Sequence, residues 1–314
     1  MALNLLQIVQ TVCAELGLQQ PTSVVNSVDV GVRQLYSLVN REGTELRKAH
    51  DWTALDTEFD IVVGQPTITT GDTTANSPII TNIPDTSGLT AGLYQVSANS
   101  VPVASRILSV DSSTQITMTM DATSTTTGGT VTFAKDTYAA PSDFDHYINR
   151  TWWDRTNRWE LIGPDSPQRA EWQLSGIIPT GPRRHFRNIG PTANNYRIWP
   201  PPGTLDTPIQ LAFEYISQNW VVTAGGTYQS TMTADTDQTV LDDQAIVLGV
   251  KWRFWQIKQF DYAPMQKEYL DYVDRLKARD GGAQTLSLSP RPYPLLIGPG
   301  NVQDGNWPGT GGSS

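Results

Sequence analysis

The sequence predicts an α+β protein. A mainly helical host domain carries an inserted all-β, sandwich-like module and ends in an extended C-terminal arm. Three observations support this. Apolar residues recur at helical spacing near both ends of the folded part, and a Ser/Thr-rich stretch between them alternates with period two. The last 34 residues then turn rich in Gly and Pro. The expected boundaries are 1–63 with 138–280 for the discontinuous host, 64–137 for the insert and 281–314 for the arm.

The host opens with a helical hairpin. Leu5, Ile8, Val9, Val12, Cys13 and Leu16 share one face, and Gly17 stops the first helix. Cys13 therefore lies on the buried stripe, as a structural thiol. After Pro21, Ser27 or Asp29 caps a second helix with the stripe Val32, Leu35, Val39 and Leu46. Its charges, Arg33, Arg41, Glu42, Glu45, Arg47 and Lys48, read as a solvated surface.

The insert holds 27 Ser or Thr, seven charged residues and two aromatics, Tyr94 and Phe133, which its own core needs. Turn clusters at Gly71-Asp72, Pro84-Asp85, Asp111-Ser112-Ser113 and Gly128-Gly129 divide it into short strands. Glu58–Val63 before it and Asp136–Tyr138 after it are expected to pair as one hairpin. Neighbouring ends of this kind make an insertion tolerable.

Beyond it, Ser142 or Asp143 is expected to cap a short helix through Tyr147 and Trp153, and Ser166 another through Trp172. Strand-like runs follow at Tyr196–Trp199 and Ile209–Ile216. A helix begins at Asp242-Asp243, whose carboxylates suit its positive end. Its stripe is Ile246, Val250, Phe254 and Ile257, and Pro264 interrupts it. Met265, Tyr269, Tyr272, Val273 and Leu276 continue the spacing to Gly281-Gly282. In the arm, apolar beads recur, with Tyr293, Leu295, Leu296, Ile297 and Trp307 the candidate partner-binding residues. A purely solvating tail would not carry them.

Composition narrows the function. A net charge of −9 argues against a free-standing DNA-binding protein. One cysteine and three scattered histidines (His50, His146, His185) leave little for a metal cage, so no metal and no cofactor is expected. No stretch is long and apolar enough to span a membrane. Nucleotide-binding loops, zinc-protease and serine-hydrolase motifs do not occur. The enzymatic route left open is a carboxylate pair cleaving glycosides, with Glu160 beside Trp159 and Asp154, Asp165 or Glu171 as partner. Residues 145–200 carry eight arginines and five tryptophans. Such a mixture serves contacts inside a fold or across an interface, or stacks single-stranded nucleic acid. The acidity of the whole chain favours the interface.

In order and spacing, several segments resemble the head-to-tail adaptor proteins of short-tailed bacteriophages, the portal adaptors or tail tubular protein A. They are Leu5-Leu6, Cys13–Leu18, Pro21, Asp29, Arg33-Gln34-Leu35 and Asp51-Trp52. Then come Pro141–Phe144, Trp153-Asp154-Arg155, Tyr196–Pro200, Leu248–Phe254, Asp261-Tyr262-Ala263 and Glu268-Tyr269. Gly88–Gly92, Val110–Thr117 and Gly129–Phe133 resemble a β module of phage structural proteins, which the plainest adaptors lack.

The resemblance implies a structural virion protein, not an enzyme, assembled in the host cytoplasm and located at the head–tail junction. It implies a ring of twelve copies joining the portal protein to the tail nozzle protein and lining the DNA exit channel. The arm would embrace the portal, and the insert would meet a tail fibre or spike. DNA would pass without sequence-specific binding, which suits an acidic chain. Some relatives are credited with peptidoglycan cleavage, so a tail-associated wall-cleaving enzyme is the alternative reading.

Overall fold

The computed structural model describes residues 3–175, 184–190, 195–201, 203 and 208–281. Residues 1–280 form one compact unit. The fold is α+β, with five helices and four antiparallel sheets among the described residues.

Four helices build the first core. Helix α1 (Leu5–Leu16) is capped by Asn4, whose carboxamide accepts from Gln7 N at 2.8 Å while Gln7 reaches back to Asn4 N at 3.0 Å. Gly17, at φ +69°, ends it in the left-handed conformation. Asp29, not Ser27, caps α2 (Val30–Lys48), accepting from Gly31 N at 2.6 Å. Helix α3 (Pro167–Ser175) lies elsewhere, under a Ser166 cap. Asp242 caps α4 (Asp243–Ile257), and Pro264 opens α5 (Ala263–Arg279). Helix α4 is buried nearly all round, from Ala245 to Val250 and again at Trp252 and Phe254, so it is the central helix. The side chains of α1, α2 and α5 close around it with Trp220 and Met232.

Two charges read as solvated are in fact interior. Glu42 is fully buried and Arg47 nearly so. Arg47 pairs with Asp145 at 2.8 Å. The Glu42 carboxylate meets the Arg253 guanidinium of α4, and Gly249 leaves the space in which it lies, since a Cβ there would overlap it. Burial first, then Glu42 beside it, raises the Tyr269 hydroxyl far above its ordinary pKa. The helical spacing of residue 42 did not distinguish the solvent side of α2 from the side facing α4.

From α2 the chain enters β1 (Asp56–Val63) and then a closed sheet. Its strands are β2 (Thr67–Thr73), β3 (Ile79–Thr81), β4 (Tyr94–Ser97), β5 (Ile107–Ser112), β6 (Gln115–Met118) and β7 (Thr126–Lys135). They pair in the order β4-β7-β2-β3-β6-β5, and a Gln95–Arg106 bridge joins the two ends. This is one sheet wrapped on itself as a small barrel rather than two facing sheets. Closure removes both edges, which suits strands as short as these. Ile80, Ile83, Val96, Ile107, Ile116, Met118, Val131 and Phe133 fill it.

The remaining strands are β8 (Thr137–Ala139), β9 (Phe144–Tyr147), β10 (Trp153–Asp154), β11 (Trp159–Glu160), β12 (His185–Ile189), β13 (Asn195–Trp199) and β14 (Ile209–Ser217), then β15 (Val221–Val222), β16 (Tyr228–Gln229) and β17 (Gln238–Thr239). The expected hairpin between 58–63 and 136–138 does not form. β1 pairs with β14 in unbroken register from Asp56–Ile216 to Val63–Ile209, and β8 pairs with β13. The expected helix after Ser142 is also absent. Asp143 instead accepts from Tyr215 Oη at 2.9 Å and Ser217 Oγ at 2.6 Å, drawing Phe144–Tyr147 onto β14 as a strand. Trp152 centres this second core, stacked between Phe213 at 4.1 Å and Phe186 at 4.4 Å.

A buried ion pair joins the barrel to this layer. Asp136 is 1% exposed, and Arg106 grips it with two hydrogen bonds of 2.5 and 2.7 Å. Arg106 also donates to Gly92 O at 2.7 Å, and Asp136 O accepts from Ile198 N at 2.7 Å. Burial and then the neighbouring Arg106 charge lower the pKa of Arg197, which lies 3.8 Å from the same carboxylate.

Two outcomes are expected. Glu42→Ala should lower stability by about 3–5 kcal/mol in urea unfolding, and Glu42→Leu with Arg253→Met should recover most of it, because the unpaired cation is then gone. Asp136→Asn should speed proteolytic cleavage near residues 64–66 and 136–138 while circular dichroism keeps its helical signal, because the clasp and not the barrel is weakened.

Candidate interaction surfaces

The predicted partner-binding residues, Tyr293, Leu295, Leu296, Ile297 and Trp307, lie outside the described residues. The catalytic alternative can be followed in detail. Across β10 and β11, Asp154 faces Trp159 and Trp153 faces Glu160. Directly opposed residues share a face and successive residues alternate, so Asp154 and Glu160 point to opposite sides of the ribbon. Asp154 is 3% exposed and accepts from Asn157 N at 2.9 Å and Nδ2 at 2.8 Å, closing a turn. Asp165 accepts from Gln173 Nε2 at 3.0 Å and contacts Arg169 and His185. Glu171 stands exposed on α3. Asp154 and Glu160 therefore do not form a facing pair.

The three histidines each lie beside an aspartate. His50 is 3.4 Å from Asp280, His146 lies between Asp51 and Asp145, and His185 is 2.9 Å from Asp165. Burial lowers the His185 pKa and outweighs the pull of Asp165, leaving a neutral ring at pH 7. With Gln173, Phe186 and Trp199, His185 lines a small open cleft of about 20 Å³, room for about one water. Cys13 is buried on α1, with its thiol raised by burial and then by Asp29, so it stays protonated at neutral pH. Among the described residues, no group of three or more His, Cys, Asp or Glu is placed to hold a metal ion. No helix among them is long and apolar enough to cross a membrane.

The arginine- and tryptophan-rich segment is built largely into the fold. Arg155 pairs with Glu58 and Asp60, Arg169 with Asp165, and Arg184 Nη1 donates to Pro200 O at 2.6 Å. Arg197 joins the Asp136 clasp. Of the described tryptophans, Trp172 stands out at 69% exposure. Contacts inside the fold account for four of the eight arginines, Arg155, Arg169, Arg184 and Arg197.

One surface was missed. The outer face of the β1–β14 ladder carries Asp56, Glu58 and Asp60 on alternate positions, with Glu214 directly opposite Glu58. Burial, then Asp56 and Glu58, raise the Glu214 pKa, and burial raises that of Asp56. Alternation along 56–60 was visible in the sequence. The partner that sets two like charges side by side was not, because it lies more than 150 residues away. Half-buried Phe59 and Ile61 occupy the inner face of the same strand.

No protein-family model matches the chain, and no curated protein matches it in sequence.

A carboxylate whose pKa is raised by folding is stabilised when protonated, so its cost appears as pH rises through the folded value. Glu214→Gln should therefore raise stability at pH 7 by about 0.5 kcal/mol, and the gain should vanish in acid, below about pH 4. Urea unfolding at the two pH values measures it.

Proposed function

We propose that this chain is a structural virion protein, not an enzyme, that forms a ring-shaped adaptor of twelve copies between a phage portal and its tail nozzle. In this reading the ring lines the DNA exit channel, and residues 1–63 with 138–280 form the adaptor core. Residues 64–137 are an inserted module facing a fibre or spike, and 281–314 are the portal-binding arm. The supporting observation is how the adaptor-like segments distribute. Leu5–Leu18, Arg33–Leu35, Leu248–Phe254 and Glu268-Tyr269 fall on α1, α2, α4 and α5, which share one core. Trp153–Arg155 and Tyr196–Pro200 fall on or beside β10 and β13 in the second layer. The segments resembling a phage β module, 88–92, 110–117 and 129–133, fall in and around the closed sheet with its own core. Two resemblances thus coincide with two separately packed regions. The opposed directions of Asp154 and Glu160 do not favour that pair for wall cleavage.

The test is quantitative mass spectrometry of gradient-purified particles. About one copy of this chain per portal subunit is expected for rings of matched symmetry. Absence from particles would overturn the reading.

A further inference from the structure

The sheet β12-β13-β8 carries two arginines set directly against each other. Arg187 of β12 is the cross-strand partner of Arg197 of β13, and Trp199 of β13 is the partner of His185. Residues two apart on a strand share a face, so all four side chains lie on one side of the sheet. Together with Gln173 of α3 and Asp165, they line the open cleft of about 20 Å³. Like charges opposed across a ladder repel. In a chain of net charge −9, no surplus of cations accounts for the pairing.

The acids nearby are already engaged. Asp165 accepts from Gln173 Nε2 at 3.0 Å and lies 3.3 Å from Arg169 Nε and 2.9 Å from His185 Nδ1. Asp136 is gripped by Arg106 and stands 3.8 Å from Arg197, whose Nε donates to Thr137 Oγ1 at 3.3 Å. Glu171, exposed on α3, pulls on Arg197 more weakly than Arg187 pushes. Donors are what is left over. Arg187 Nε and Trp199 Nε1 are both buried, and neither has a hydrogen-bond partner among the described residues. A buried donor without an acceptor carries its full desolvation penalty, and a charged one carries more.

We propose that this cleft is a carboxylate-binding site, in which the Nε edge of Arg187 and the Trp199 indole N–H donate to one anionic head group. Size selects the class. A space of about one water admits a single oxygen, not the several that a tetrahedral oxyanion presents. The other oxygen of a carboxylate stays at the open side, where an adjacent N–H of the same planar fork meets it. The bound negative charge also offsets the repulsion between the two arginines. A small free carboxylate and an acidic side chain of a partner protein carry the same head group.

The test records the indole N–H resonances of the isotope-labelled full chain, with the Trp199 signal identified by its loss in Trp199→Phe. Sodium acetate is titrated beside sodium chloride and sodium sulfate at equal ionic strength. A saturable downfield movement of the Trp199 signal is expected with acetate and not with the other salts. Arg187→Gln removes a repulsion, so it should fold as the parent does and abolish the movement. Arg187→Lys keeps the charge but loses the fork, and should weaken the apparent affinity on the order of ten-fold. A blocked tripeptide with a glutamate side chain as its one carboxylate separates the sources. Movement with the peptide too assigns the site to a partner's acidic side chain, and movement with acetate but not the peptide assigns it to a small ion. No saturable movement, an equal response to chloride or sulfate, or an undiminished response in Arg187→Gln overturns the proposal.

Discussion

The helical half of this protein is organised around one buried carboxylate. Glu42 has no exposed surface, and an uncompensated charge at such a depth costs several kcal/mol. Three features of the neighbouring helices offset that cost. Arg253 supplies the counter-charge from α4, Gly249 supplies the space, and Tyr269 of α5 lies against the carboxylate. Because the ion pair has to meet, the rotation of α2 about its axis and the height of α4 beside it are set together.

The same principle recurs where the chain changes architecture. Asp136 ends the barrel and begins the second layer, and its carboxylate is held from the barrel side by Arg106. Its main-chain oxygen is held from β13. The barrel thus stands on a charged hinge-point rather than on an apolar seam, which leaves its own core independent of the host's. The clusters agree, since the residues filling the barrel share none with the aromatic group around Trp152.

Much of the local structure was legible along the chain. The stripes of α1 and α2, the Asp29, Ser166 and Asp242 caps and the restart at Pro264 all depend on residues within one or two turns of each other. So do β13 and β14, whose apolar runs are long enough to read alone. The misreadings share a different origin. Phe144–Tyr147 is a strand because Tyr215 and Ser217 lie across from Asp143 and β14 draws it in. Glu42 and Arg47 were taken for surface because helical spacing gives the angle between residues but not what stands opposite. The acidic ladder face was invisible for the same reason.

The bounds of most helices, the closed composition of the Ser/Thr-rich stretch and the split into helical and β-rich regions follow from short-range chemistry: capping oxygens, periodicity and turn residues act over a few positions. Which strand takes β1, which helix face meets Arg253, and whether two acids oppose each other were settled by contacts between segments as much as 211 residues apart. Such contacts form when cores close, and closure is selected by total burial and by the pairing of a few interior charges, quantities that belong to the folded whole and to no local stretch of it.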